Sequence, residues 1–250
     1  MTSRFTPLRL STDGRRELLN ALIARSAETL GGLPPLIVFD LDGTLLDNRP
    51  RVVAILHELA GHWRETAPAA AAALKTATNE HIGYGILENL ARFGVTEPAL
   101  QQAGQQFWFE RFFNDDYLRH DVPIAGAVAF ATRCYEAGAN LMYLTGRDTP
   151  KMSLGTVASL RDCGFPIGLV GTSLVTKPTF DIPDDRFKRE TGALLARVGP
   201  VLAVFDNEPA NCNALLECHP SCSSVLLDTH HAPKPPELLA GVVVIDTFET

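Results

Sequence analysis

Leu36-Ile37-Val38-Phe39-Asp40-Leu41-Asp42-Gly43-Thr44 is the stretch on which the fold turns. Its four apolar residues, bounded by Pro34-Pro35 and Gly43, read as a strand buried on both faces. Such a strand belongs in a parallel sheet covered by helices. Two carboxylates two residues apart then stand at its exit, and carboxylates are costly to desolvate unless something pairs with them. The strand end is therefore expected to hold a cation or a proton relay.

The rest of the chain alternates helix and strand around that stretch. Ser11 or Thr12 caps a helix whose apolar positions run from Leu18 to Leu30, with Gly31-Gly32 as its stop. From residue 49 to 121 the spacing is helical: Val52, Ile55, Leu56, Leu59 and Trp63, an alanine-rich piece near Ala69 to Ala77, then Ile82 to Leu90, and a helix from Pro98 toward Tyr117. Beyond Pro123 come a helix over Val128 to Ala137, the strand Leu141 to Leu144, a helix near Lys151 to Asp162 and a strand at Ile167 to Val170. A helix opening at Pro183-Asp184-Asp185, the strand Val201 to Phe205, a short helix near Ala210 to Glu217 and the strands Val225 to Leu227 and Val242 to Ile245 complete it. This is the α/β class: a doubly wound, Rossmann-like parallel sheet with helices on both faces and an all-helical insertion. Residues 1–48 and 122–250 form the core, 1–33 being an N-terminal helical extension, and 49–121 form the insertion.

In such sheets ligands bind at the carboxyl ends of the strands, near the point where strand order reverses. The polar residues collect at those ends: Asp40 and Asp42, Thr145-Gly146-Arg147, and Asp206-Asn207. Carboxylates, a hydroxyl, an amide and glycine-flanked backbone suit a hard cation beside a phosphate.

Composition narrows the partners. A formal net charge of −7 disfavours nucleic acid and anionic membrane, and the insertion carries seven Arg and Lys against nine acids, no basic stripe. No stretch approaches a membrane span. The first twenty residues hold four arginines without an apolar block, and five cysteines are an odd number, so a cytoplasmic protein with reduced thiols is expected. Cys212, Cys218, His219, Cys222, His230 and His231 match no zinc-binding spacing. Phe107, Trp108, Phe109, Phe112 and Phe113 read as packing residues of the insertion, some of which could line a pocket, and Gly83-Tyr84-Gly85 as its most loop-like contact to a substrate.

Asp40-Leu41-Asp42-Gly43-Thr44-Leu45, Leu144-Thr145-Gly146-Arg147, Lys188 and Phe205-Asp206-Asn207-Glu208-Pro209 resemble the four motifs of the haloacid dehalogenase superfamily, in the family's order. The resemblance covers the chain except for the N-terminal helix, and the insertion sits where family members carry a C1 cap. It implies a Mg²⁺-dependent phosphatase of a small phosphorylated metabolite, with Asp40 as nucleophile forming an aspartyl-phosphate. A phosphomutase or other phosphotransferase would share these motifs. A non-catalytic phosphate-binding protein is the remaining alternative, although loss of Asp40 or Asp42 would be its mark. Dehalogenation is disfavoured because relatives with that chemistry lack the acid found here at position 42.

By the same resemblance, Asp42 protonates the leaving alcohol and then activates water. Its neighbouring carboxylates should make it easier to protonate than a free acid. Thr145 donates to a phosphoryl oxygen with help from Gly146. Gly43, Thr44 and Arg147 are further candidates for phosphate contact, Arg147 being equally a surface ion pair. The phosphate-binding lysine is Lys188, read as lying in the first turn of a helix, or Lys177 after the third strand, with Lys188 favoured. The metal ligands implied are Asp40, the backbone carbonyl of Asp42, Asp206 and Asn207. Asn207 stands where a second acid is commoner, and Glu208 or Asn211 would compensate.

Overall fold

The computed structural model describes residues 8–29 and 32–250. A short strand β1 (Leu8–Arg9) precedes helix α1 (Thr12–Arg25), for which the Ser11 hydroxyl accepts from the Gly14 amide at 3.2 Å. The helix ends five residues before Leu30, at the buried Ser26, whose own hydroxyl donates to the Leu22 carbonyl. Leu30 and Gly31, expected to close it, lie outside the described residues.

The central strand β2 (Leu36–Phe39) is buried along its whole length. A two-residue strand β3 (Leu46–Asp47) leads into the insertion, which consists of α2 (Arg49–His62), α3 (Pro68–Leu74), α4 (Ile86–Arg92) and α5 (Pro98–Phe112), with short 3₁₀ turns at Asn79–His81 and Asp115–His120. Its return strand β4 (Val122–Pro123) pairs antiparallel with β3, so the two connections into the insertion are bonded to each other. The core resumes with α6 (Ala127–Ala137), β5 (Asn140–Asp148), α7 (Thr149–Cys163), β6 (Thr172–Lys177), α8 (Asp184–Gly192), β7 (Val201–Asp206), α9 (Pro209–Cys218), β8 (Ser223–Leu227) and β9 (Val242–Ile245).

Seven strands form one parallel sheet in the order β1-β9-β8-β7-β2-β5-β6. β2 lies between β7 and β5, the reversal of strand order at which a crevice opens. Alternation along β2 builds both halves of the core. Ile37 and Phe39 join Leu19, Leu22, Phe130 and Leu160 on the face covered by α1, α6 and α7, whereas Leu36 and Val38 meet Phe187 and Leu215 from α8 and α9. Phe39 stacks on Phe205 of the neighbouring strand at 5.1 Å between centroids. The insertion has a core of its own, from Leu56, Leu59, Trp63, Leu74, Leu90 and Val95.

Two expectations need correction. The segment Ile167 to Val170 is not a strand: Gly168 and Gly171 take positive φ and Val170 is 95% exposed. The strand is β6, one turn later, at the sheet's edge. An edge strand is half-solvated, so its Thr-Ser-Leu-Val-Thr-Lys sequence lacks the continuous apolar run of the central strands. The N-terminal extension is also more than a helix, since β1 adds an edge strand to β9.

Candidate active site

The strand ends of β2, β5 and β7 deliver Asp40, Thr145 and Asp206 to one crevice beneath the helical insertion. A cavity of about 1070 Å³ opens over them, lined from the core by Asp40, Asp42, Gly146, Lys188 and Asn207, and from the insertion by Val52, Tyr84 and Trp108, among others.

Asp40 is fixed through both carboxylate oxygens. Lys188 Nζ donates to Oδ1 at 2.6 Å and the Thr44 hydroxyl donates to Oδ2 at 2.9 Å. Lys188 Nζ also donates to Asp206 Oδ2 at 2.5 Å, while Asp206 Oδ1 accepts from the Glu208 amide and from Asn211 Nδ2. All three charged groups are buried. Burial raises the Asp40 carboxyl above the ordinary carboxylate range despite the Lys188 ammonium beside it. Burial pulls Lys188 the other way, but the Asp206 and Asp40 carboxylates outweigh it and keep the ammonium charged. Two carboxylates on one ammonium leave this cluster one positive charge short.

Asp42 belongs to a different cluster. Arg147 Nε donates to its Oδ2 at 2.7 Å, Arg147 Nη2 to its Oδ1 at 3.0 Å, and Arg51 Nη2 to the same Oδ1 at 2.5 Å. Both guanidiniums also bind Asp121, Arg51 through Nε at 2.7 Å and Nη2 at 2.6 Å, and Arg147 through Nη2 at 2.7 Å. The ring Asp42–Arg147–Asp121–Arg51 is charge-balanced. Burial pushes the Asp42 carboxyl up, but the two guanidiniums outweigh it and hold it well below the carboxylate range. The expectation of an easily protonated Asp42 is thereby overturned. Neighbouring carboxylates are visible along the sequence, whereas Arg147 arrives from 105 residues away.

Arg147 is not a surface pair: it is 3% exposed, and although it lines the cavity its guanidinium is bonded to Asp42 and Asp121. Thr44 is fully buried and serves Asp40 rather than facing the cavity. Gly43 does line the cavity, but its amide donates to the Leu46 carbonyl at 2.8 Å and is not free for a ligand. What position 43 requires is glycine, because φ is +80° and a Cβ there would overlap the Asn207 amide. Gly146 lies beneath the Asp184 carboxylate, which a Cβ would strike. The Thr145 hydroxyl accepts from the Arg147 amide at 3.3 Å and so retains its own proton to donate.

The two lysines separate. Lys188 bridges Asp40 and Asp206, whereas Lys177 Nζ donates to the Phe180 and Ile182 carbonyls and to Asp184 Oδ1, outside the lining of the cavity. Lys188 lies in the second turn of α8 rather than the first.

Asn207 donates from Nδ2 to the His230 carbonyl, which turns its Oδ1 toward the Thr44 hydroxyl, 3.4 Å away. Glu208 accepts from the Ala232 amide at 2.8 Å. Among the described residues no group of three carboxylate, imidazole or thiolate side chains is assembled as a metal cage. The groups there that could hold a hard cation are Asp40, Asp206, the Asn207 amide oxygen and the Asp42 carbonyl, all hard oxygens. This set fits Mg²⁺, which takes few protein ligands and retains waters, and the missing positive charge lies at the same place.

Arg51 and Asp121 went unread in the sequence: they flank the insertion 70 residues apart, and no motif joins them. The histidines 57, 62 and 81 turn away, onto the Ala77 carbonyl, the Phe107 ring and Thr78. From the Gly83-Tyr84-Gly85 loop, Gly83 and Tyr84 line the cavity. Asn89, itself buried, bonds the Gly83 amide and carbonyl at 2.7 and 3.1 Å and fixes that loop.

Among solved structures the chain is similar to a Clostridium difficile protein named as a candidate phosphatase, at 12% identity and TM-score 0.53, over 84% of this chain and 93% of that one. It is also similar to a HAD-superfamily hydrolase of subfamily IA, variant 1, from Geobacter sulfurreducens, at 15% identity and TM-score 0.51, over 88% and 95%. At these identities the likeness shows the fold alone. No curated protein matches the sequence. The model of the haloacid dehalogenase-like hydrolases matches residues 34–204, well over half the chain, and takes in the Asp40–Leu45 and Leu144–Arg147 clusters and Lys188, ending two residues before Asp206. The chain therefore belongs to the haloacid dehalogenase-like hydrolases.

Proposed function

We propose that the protein is a Mg²⁺-dependent phosphatase of a small phosphomonoester, acting through an aspartyl-phosphate on Asp40. The observation that carries this reading is the charge shortfall around Asp40, Lys188 and Asp206, set beside the balanced ring around Asp42. A bound Mg²⁺ would supply that charge and neutralise the phosphoryl oxygens.

The chain's own residues account for the remaining tasks. Lys188 and Thr44 hold the Asp40 carboxylate in one orientation, with the cavity in front of it. Attack by an Asp40 oxygen on phosphorus expels the substrate's alcohol, and water then cleaves the acyl phosphate to return the carboxylate and release inorganic phosphate. The Thr145 hydroxyl donates to a phosphoryl oxygen. Asp42 handles the protons: held as the carboxylate by Arg51 and Arg147, it relays the proton of the singly protonated phosphate ester to the leaving oxygen, and later takes one from the attacking water and returns it to the phosphate released. The insertion closes the cavity from above and restricts water. All five cysteines are free and no helix among the described residues is long and apolar enough to cross a membrane; the free thiols support the cytoplasmic location we assign.

The test is phosphate release from 4-nitrophenyl phosphate and a panel of metabolite phosphomonoesters, with and without Mg²⁺. Metal-dependent release is expected, and inert protein across the panel would overturn the reading. Product analysis with added alcohols separates hydrolysis from phosphotransfer. Lys188→Met is expected to lower kcat by about a hundredfold or more, in the range lost when a fixed electrostatic donor is removed. Lys177→Ala should stay within a few-fold of wild type. Millimolar Mg²⁺ should raise the melting temperature of the wild type, and this shift should disappear in Asp206→Asn.

A further inference from the structure

The cavity's two halves differ in character, and the difference bears on what is attached to the phosphate. The core half is polar. The upper half, facing the insertion, carries Val52, Ile86, Trp108, Phe112, Phe113 and, from α7, Met152, together with the polar Asn48, Arg49, Tyr84 and Asn89. Trp108 stacks on Phe112 with centroids 4.6 Å apart and meets Phe113 edge-on at 5.7 Å, so the wall is an aromatic packing unit rather than isolated rings.

Charge points the same way. Eight carboxylates line the cavity against three cationic side chains, Arg49, Arg147 and Lys188. Each of the three is already paired: Arg49 with both oxygens of Asp47, Arg147 with Asp42 and Asp121, and Lys188 with Asp40 and Asp206. A second phosphate or a carboxylate on the substrate would therefore face an acidic wall without a free cation to meet it.

Resting on the phosphatase reading, we infer that the substrate's leaving group is an uncharged, apolar or aromatic alcohol, with the Val52–Trp108–Phe112 wall as its binding surface. Such a group covers apolar surface that a second charged group could not.

Three alkyl phosphomonoesters of comparable intrinsic reactivity test this on the full-length protein with Mg²⁺: benzyl phosphate, glucose 6-phosphate and 3-phosphoglycerate. The kcat/KM for benzyl phosphate should exceed that for glucose 6-phosphate at least tenfold and that for 3-phosphoglycerate about a hundredfold. Trp108→Ala, which removes the largest ring of the wall, should lower kcat/KM for benzyl phosphate more than for glucose 6-phosphate, chiefly through KM.

Equal or better turnover of glucose 6-phosphate or 3-phosphoglycerate overturns the inference and leaves the phosphatase reading standing. An unaltered ratio of benzyl phosphate to glucose 6-phosphate turnover in folded Trp108→Ala overturns the binding surface assigned to the wall. Failure to release phosphate from any of these esters, 4-nitrophenyl phosphate included, overturns both readings.

Discussion

Asp40→Asn should reduce Mg²⁺-dependent phosphate release by at least about a thousandfold, the scale of loss seen when a covalent nucleophile is removed. The substitution changes one atom and keeps the shape of the side chain. An amide oxygen can still accept from Lys188, and the Thr44 hydroxyl can still find a partner. The fold should consequently survive. Two carboxylates share one ammonium at this site, and burial already disfavours the charged form of Asp40. Removing that charge relieves the imbalance, so the metal-free variant should melt no lower than the metal-free wild type. The same change deletes an anionic oxygen donor, and the melting shift produced by Mg²⁺ should shrink with it. Lost activity, preserved melting and a diminished Mg²⁺ shift together identify a nucleophile at a metal site. Turnover that survives in Asp40→Asn would refute the mechanism, and an unfolded variant would show that the carboxylate was structural.

The contrast between the two charge clusters also shows how far the sequence could be read. Asp40 and Asp206 were legible because each ends a strand of uninterrupted apolar residues, and burial of such strands places their ends together at the sheet's switch point. The insertion was legible from helical spacing between them, although the β3–β4 pairing that ties its two ends was not, as two-residue strands leave no periodicity. Strand β6 escaped because an edge strand needs apolar residues on fewer sides. For Asp42 the sequence showed its acidic neighbours and concealed its arginines. Which of two flanking charges dominates depends on distances across the fold, and these were set by Arg51 from α2 and Arg147 from β5. Thr44 was similarly misplaced: its position in the motif suggested a ligand contact, whereas its hydroxyl turns inward to Asp40.

Arg51→Met should destabilise the protein by about 3–5 kcal/mol, the cost of leaving one partner of a buried ion pair uncompensated. Arg51 is fully buried and, through one guanidinium, bonds Asp121, Asp42 and the Phe112 carbonyl. Asp121 is equally enclosed and accepts from both Arg51 and Arg147. Asp121→Asn should therefore cost a comparable amount, because the two guanidiniums would then share only Asp42. The double variant is the sharper measurement. When both members of a pair are replaced, no buried charge is left over from that pair, so Arg51→Met with Asp121→Asn should unfold at a denaturant midpoint above the sum of the single losses. Additive losses would mean that the residues do not act as a unit. Since Arg51 and Asp121 stand at the two ends of the insertion and Asp42 just past the end of β2, the ring is also the joint between the insertion and the acid to which the proposed mechanism gives the proton transfers. Arg51→Lys should then lower kcat more than it raises KM, since a lysine keeps the charge and fills much of the site but loses the planar fork that contacts both carboxylates. A loss confined to KM would place the ring's role in substrate binding, and kcat unchanged in folded Arg51→Lys would separate the joint from the chemistry altogether.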